Sequence, residues 1–352
     1  MLTSLIDLAF LFFFSFTTLF FLRKFAKTIG LVDKPNARKL HEGVIPLVGG
    51  ISICCSLLYF LFNNPNIIPH TPLYAGCILL LVIVGALDDR FDISFQVRFF
   101  VQAGLSVAMM TIGNIELHNI GNIFGSGNVT LGWFGYVVTI LSVVGAINAY
   151  NMVDGIDGLL GGMSIVTFGG LGILVALDGQ MNIAYLCLVL VVITLPYILL
   201  NLGALGRKRK VFMGDAGSML IGFTVIWLLL LSSQNGTEPP IRPVTALWLI
   251  AVPLMDMAAI MIRRVRRGDS PFKPDREHLH HICQRLGLST THTLITICLI
   301  ASALAGFGIW GEINEISETI MFYCFMICFM AYALMLNYIW RVTTWVRALN
   351  TN

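Results

Sequence analysis

Asp88-Asp89-Arg90-Phe91-Asp92 closes an apolar run that begins near Leu73. Ionised groups at the edge of a hydrocarbon-loving segment are costly if they point into lipid, so their presence there is a functional hypothesis. Adjacent carboxylates in such a place suit a hard cation, Mg²⁺ or Mn²⁺, with a phosphate close by. The plain alternative is a solvated helix end carrying ordinary charges. That alternative explains one aspartate better than it explains the cluster.

Four further polar stretches interrupt the apolar chain. One holds Asn148, Asn151, Asp154 and Asp157 together with Gly155 and Gly158. Glycine lets a backbone approach a ligand closely, and amides with carboxylates can bind sugar hydroxyls, a nucleobase or a metal-bound water. Capping of the next helix would need only one of these residues. Another runs from Asn201 through the basic cluster Arg207–Lys210 to Phe212 and then Asp215, which stands in a Gly-x-x-Gly turn that opens a helix. Asp215 suits a metal ligand. Phe212 could stack on a planar base, although an aromatic at a membrane interface is more often an anchor. The longest stretch carries Arg263, Arg264, Arg266 and Arg267 and then His278, His280 and His281. Arginine forks recognise phosphate oxygens bidentately, so with the histidines they suit a pyrophosphate and a sugar. The first stretch carries Lys39 and His41 ahead of Pro46-Leu47-Val48-Gly49-Gly50. Basic residues beside a bilayer can hold anionic lipid or phosphate. Asp256, inside an apolar run, reads as a buried partner for a nearby base.

The elements that must position these groups follow from composition. Of the 352 residues, 57% are hydrophobic and 12% charged, about half the charged share of a soluble domain. The chain therefore reads as an all-α, polytopic membrane helix bundle. About eleven spans are long enough to cross, at 5–22, 46–63, 72–87, 95–112, 131–147, 158–177, 183–200, 217–232, 243–262, 292–311 and 319–340. They form one membrane-embedded domain over 1–352, with functional loops 23–45, 88–98, 148–157, 201–216 and 263–291. Of 22 basic side chains, all but Arg242 fall in these loops or the tail. Lys and Arg mark cytoplasmic loops, so the N-terminus is expected outside, and the C-terminus and every chemically interesting loop in the cytoplasm. The cysteines sit mostly in apolar runs, with no Cys-x-x-Cys pair, and read as small buried hydrophobes.

Asp88-Asp89, Asn148-x-x-Asn-Met-Val-Asp-Gly-Ile-Asp-Gly-Leu, Phe212-Met-Gly-Asp-Ala-Gly-Ser and His278-Leu-His-His resemble the polyprenyl-phosphate N-acetylhexosamine-1-phosphate transferases. The likeness runs in order from Asp33 to His281. It is greatest to the bacterial branch that transfers GlcNAc-1-phosphate to undecaprenyl phosphate. The sibling branch that transfers phospho-MurNAc-pentapeptide usually shows three consecutive histidines and a Pro-Thr-Met-Gly-Gly stretch, which this chain lacks. The resemblance implies attack of undecaprenyl phosphate on the β-phosphorus of UDP-GlcNAc, with loss of UMP, as the first lipid-linked step of O-antigen and enterobacterial common antigen synthesis. It implies Mg²⁺, or Mn²⁺, held chiefly by Asp215, with Asp88 and Asp89 beside the metal or the lipid phosphate, and Asp154 and Asp157 among the catalytic groups. Asp92, Lys39 and His41 would position the lipid phosphate. Asn148, Asn151, Asn201 and Phe212 would frame the nucleotide, and Arg263, Arg266, His278, His280 and His281 the pyrophosphate and sugar. The expected setting is the inner membrane, with membrane lipid as surroundings, no nucleic acid partner and a homodimer left open. UDP-MurNAc-pentapeptide or UDP-GalNAc remains an alternative donor. A lipid-linked-sugar transporter is the alternative from another class. It would bury ionisable groups across the bilayer and repeat its halves, and the chain does neither.

Overall fold

Lipid offers no water to backbone N–H and C=O groups, so apolar runs of spanning length satisfy themselves as helices. The computed structural model describes residues 2–34, 43–234, 236, 239–271 and 277–350. Its helices are α1 (Leu2–Ile29), α2 (Gly49–Asn63), α3 (Thr71–Phe91), α4 (Phe95–Thr111), α5 (Phe134–Val153), α6 (Leu159–Leu177), α7 (Met181–Asn201), α8 (Gly214–Gln234), α9 (Pro243–Leu249), α10 (Ala251–Arg266), α11 (Leu279–Arg285), α12 (Thr290–Ile313) and α13 (Glu318–Asn350). Each predicted span coincides with one of them, or with the pair α9 and α10. Among the described residues, eight helices are long and apolar enough to cross a membrane, or nine if that pair is one span. Helix α2, at 15 residues, is apolar but short, and α4 has 17.

Helix α8 is the centre of the bundle, buried along its whole apolar length and packed against α2, α3 and α5. Close backbone approach, rather than a hydrophobic driving force, joins helices in lipid, and small residues provide it here. A Cβ on Gly50 of α2 would come within 2.1 Å of the Gly217 nitrogen in α8, and one on Gly85 of α3 within 2.4 Å of the Ala216 Cα. On the α5 side, a Cβ on Gly222 would meet the Ile147 Cα at 2.6 Å. The Pro-x-x-Gly-Gly stretch is thus a packing device. The chain ahead of α2 forms a short antiparallel ribbon, β1 (Val32–Asp33) with β2 (Ile45–Pro46). It docks on the residues preceding α8 through Phe212 N–H to Pro46 O at 2.9 Å and Gly49 N–H to Phe212 O at 3.0 Å.

Three boundaries differ from expectation. Helix α3 continues to Phe91, so Asp88 and Asp89 lie in its last turn. Helix α5 continues to Val153, so Asn148 and Asn151 are helical. Polar side chains paired with one another can remain on a helix that a hydropathy boundary would end. The predicted span 243–262 breaks at Ile250, where α9 and α10 meet at 84°. Pro253 stands in the first turn of α10, where proline is tolerated, and its ring has no N–H for the carbonyl of Leu249 and would crowd it in a continuous helix.

Candidate active site

The N-terminus of α8 leaves unsatisfied backbone N–H groups, and Asp89 takes up two of them from another helix. Asp89 Oδ1 accepts from Asp215 N–H at 2.9 Å and Oδ2 from Ala216 N–H at 3.3 Å. A carboxylate also complements the positive end of a helix dipole. Gly214 makes the approach possible: its φ is +75°, and a Cβ there would lie 2.4 Å from Asp89 Oδ2.

Asp88 points to a different partner. Its side chain is 4% exposed, and its Oδ2 accepts from Arg98 Nη1 at 2.5 Å. The same Nη1 lies 3.5 Å from Oδ2 of Asp215. Asp215 remains 34% exposed, and its other oxygen accepts from Asn151 Nδ2 at 2.6 Å. Asn151 also donates to Ser218 Oγ at 2.9 Å, one turn into α8.

Asp154 follows the last residue of α5. Burial, then the charges of Asp215 and Asp157, push its carboxyl up to about 7. Asp157 pairs with Lys210 Nζ at 2.5 Å, and that ammonium sits 5.2 Å from the centre of the Phe212 ring. Asn201 is 2% exposed. Its oxygen accepts from Gly158 N–H at 2.5 Å and its nitrogen donates to Val211 O at 2.9 Å. Its amide therefore ties the α5–α6 loop to the α7–α8 loop. Asn148 faces α4, donating to Val144 O at 2.7 Å and to Gln102 Oε1 at 3.4 Å.

The histidines divide. His278 Nδ1 lies 2.8 Å from Asp256 Oδ2, while Asp256 Oδ1 accepts from Leu279 N–H at 3.1 Å and from the Tyr332 hydroxyl at 2.5 Å. Asp256 is thus the buried partner of a base, as its sequence position suggested. His280 is 3% exposed and lies against Gly155, where a Cβ would fall 2.1 Å from its Nε2. Burial, with His281 and His278 alongside, lowers its pKa to about 3, so it stays neutral. His281 lines the cavity.

That cavity, about 2390 Å³, lies at one end of the bundle. It gathers Asp88, Asp89, Asp92, Asn151, Asp154, Asp157, Asn201, Phe212, Asp215 and His281. Asn148, Arg263, Arg266, His278 and His280 are not among its described lining residues. Arg263 instead meets Glu277 at 3.2 Å, and Arg266 is exposed. Lys39 and His41 lie outside the described residues. The basic lining comes from Lys27, Arg90, Arg207, Lys208, Lys210 and Arg285. Sequence reasoning passed over Arg98 and Arg285, counting both only as topology charges. The signal for Arg98 was its place in the first turn of a helix facing an aspartate pair.

Among the described residues, no three His, Cys, Asp or Glu side chains form a ready metal cluster. Two carboxylates that reach one guanidinium nitrogen, on Asp88 and Asp215, nevertheless fit Mg²⁺. That ion takes one or two carboxylates and completes its shell with water and substrate phosphate.

A polytopic helix bundle with carboxylates, amides and bases gathered in one cavity defines an integral-membrane enzyme. The profile of Glycosyl transferase family 4 matches residues 71–233, the stretch that carries Asp88 through Asp215. Curated relatives extend the likeness over nearly the whole chain. The undecaprenyl-phosphate alpha-N-acetylglucosaminyl 1-phosphate transferase of Yersinia pestis is 53% identical over 99% of this chain and 95% of its own. That of Escherichia coli (strain K12) is 50% identical over the same shares, and that of Haemophilus influenzae is 50% identical over 95% and 94%. The chain belongs to this family of membrane glycosyl-phosphate transferases.

Proposed function

We propose that this chain transfers GlcNAc-1-phosphate from UDP-GlcNAc to undecaprenyl phosphate. An oxygen of the lipid phosphate bonds to the β-phosphorus of the nucleotide sugar. The bond from that phosphorus to the bridging oxygen breaks, UMP leaves with the electron pair, and undecaprenyl-diphospho-GlcNAc remains. The observation that carries the reading is the cavity shared by Asp88, Asp154, Asp215 and the basic side chains Lys210 and Arg285. The names of the full-length relatives support the donor and acceptor.

A phosphate monoester is largely ionised at neutral pH, so the attack needs no strong base. Positioning and charge neutralisation carry most of such a transfer. Asp88 and Asp215 would hold Mg²⁺, or Mn²⁺, which when bound neutralises pyrophosphate oxygens. Asp89 acts on Asp215 through the α8 backbone, and Asn151 fixes the Asp215 rotamer. Asp157 sets Lys210 beside Phe212, where a uracil ring and a phosphate can be met together. Asp92 and Lys27 line the cavity; Lys27, with Lys39 and His41, would take the acceptor phosphate, and Asp92 would help position it. His281 and Arg285 would meet the sugar diphosphate. His278 and His280 would act by holding α11, which carries both His281 and Arg285. The orientation that places all of this in the cytoplasm, with the N-terminus in the periplasm, rests on the Lys and Arg bias. The product would then start a lipid-linked O-antigen or common-antigen chain from the inner membrane.

The test is transfer of label from UDP-GlcNAc into a butanol-extractable lipid. Label should appear with Mg²⁺ and vanish with EDTA. Transfer from UDP-GalNAc or UDP-MurNAc-pentapeptide but not from UDP-GlcNAc would reassign the donor, and no metal-dependent transfer from any of them would overturn the reading.

A further inference from the structure

We propose that the Arg98 guanidinium holds the place of the divalent cation between Asp88 and Asp215, and that the cation binds by displacing it. The inference rests on the reading that these two carboxylates form the cation site.

The seating of Arg98 carries the argument. Its Nη1 alone serves both carboxylates, at 2.5 Å from Asp88 Oδ2 and 3.5 Å from Asp215 Oδ2. Its Nε is buried and has no hydrogen-bond partner among the described residues. A permanent arginine–carboxylate pair is commonly a two-pronged fork. The chain shows what such a seat looks like at Arg242. There Nε lies 3.2 and 3.1 Å from the two oxygens of Glu312, Nη1 donates to Ile316 O at 2.6 Å, and Nη2 donates to Gly311 O at 2.9 Å. Arg242 spends its whole fork, while Arg98 presents one nitrogen at the meeting point of two carboxylates. That is the coordination a small cation wants and the least a guanidinium offers.

The arrangement also answers an electrostatic need. Asp88 is nearly buried, and a buried charge without a partner is strongly destabilising. Without a cation, Arg98 supplies the compensating charge. A cation at the point where Nη1 now meets both carboxylates would take the lone pairs that face it, at about 2.0–2.1 Å, and would repel the like-charged guanidinium. A cation at that point therefore requires Arg98 to withdraw from it.

The experiment is a Mn²⁺ titration of the purified full-length protein in nanodiscs, followed by the electron paramagnetic resonance signal of free Mn²⁺. Arg98→Gln should tighten Mn²⁺ binding by roughly tenfold. Arg98→Lys, a point charge that reaches one carboxylate at a time, should tighten it about two- to threefold. The second variant gives the same reading if the first does not fold. An arginine that merely supported the site would give weaker or unchanged Mn²⁺ binding on removal, and either result overturns the proposal while leaving the cation site intact. Absence of bound Mn²⁺ in all three proteins would overturn both the placeholder and the cation reading of Asp88 and Asp215.

Discussion

The side chain of Asp89 accepts a hydrogen bond from the backbone N–H of Asp215 at 2.9 Å. The neighbouring Asp88 makes no such contact and meets Arg98 instead. Two adjacent aspartates thus do different work. One fixes the end of the central helix, and the other faces its first side chain.

This division predicts separable phenotypes. In Asp89→Asn the amide nitrogen cannot accept the Ala216 N–H, and the charge at the helix end is gone. The expected loss is about 1–2 kcal/mol, read as a lower melting temperature in detergent. Asp215→Asn keeps the backbone N–H groups and an amide oxygen that can still accept from Asn151, and should melt closer to the parent than Asp89→Asn does. Equal losses in the two variants would contradict the assignment.

Asp215→Asn should nevertheless lose turnover. Removing one group that stabilises developing charge commonly costs about 10²–10³ in rate. We expect a fall of that size at saturating Mg²⁺, measured by lipid-linked label formation. Wild-type turnover would take Asp215 out of the cation site.

The glycine contacts predict a steep positional contrast. Gly50→Ala places a Cβ 2.1 Å from a backbone nitrogen of α8, and backbone on both sides cannot yield. Overpacking of this kind costs about 1–3 kcal/mol or more, so a large drop in melting temperature or in folded yield is expected. Gly76→Ala in α3 has nothing within 4 Å and should leave both unchanged. Similar yields and melting points for the two would remove the close-packing account of α8.

His280 predicts an acid-side weakness. Its folded pKa, lowered to about 3 by burial and by His281 and His278, lies below the unfolded value of about 6.5. Asp256, the facing carboxylate, opposes the shift weakly. Below about pH 6.5 the unfolded chain takes up a proton that the folded chain refuses, so stability falls as pH drops toward 3. The loss approaches about 1.4 kcal/mol per pH unit. Melting temperatures across pH 7 to 5 should decline in the parent and decline less in His280→Asn. Parallel slopes would show that another group carries the acid sensitivity.

Much of this was legible in the chain itself. Apolar run length is a local property, and each predicted span is helical. The carboxylates at Asp88, Asp154, Asp157 and Asp215 were recognisable because charge is expensive there, and they do converge. What a one-dimensional reading could not separate was residues of the same type with different neighbours. Asp88 and Asp89 are adjacent, yet they differ by about a hundred degrees around the helix. Arg263 and Arg266 had the right chemistry for phosphate, but among the described residues it is Arg285 that lines the cavity, and Arg263 meets Glu277. Asn201 lines the cavity, but that it also ties two loops together shows only when Gly158 and Val211, distant in sequence, are seen to use both ends of its amide. The break at Ile250 needed Pro253 to be weighed as a barrier to the preceding turn rather than as a tolerated residue in a long apolar run.

That break also has a mechanical side. Beyond the 84° corner, α10 carries Asp256, and Asp256 is clamped to His278, the Leu279 backbone and Tyr332. Helix α11, which brings His281 to the cavity, therefore hangs from a bracket whose elbow lies inside the bundle. Its reach toward Asp215 is gauged by the angle of a bent apolar helix, so a packing change at Ile250 would be felt at the far end as a misplaced histidine.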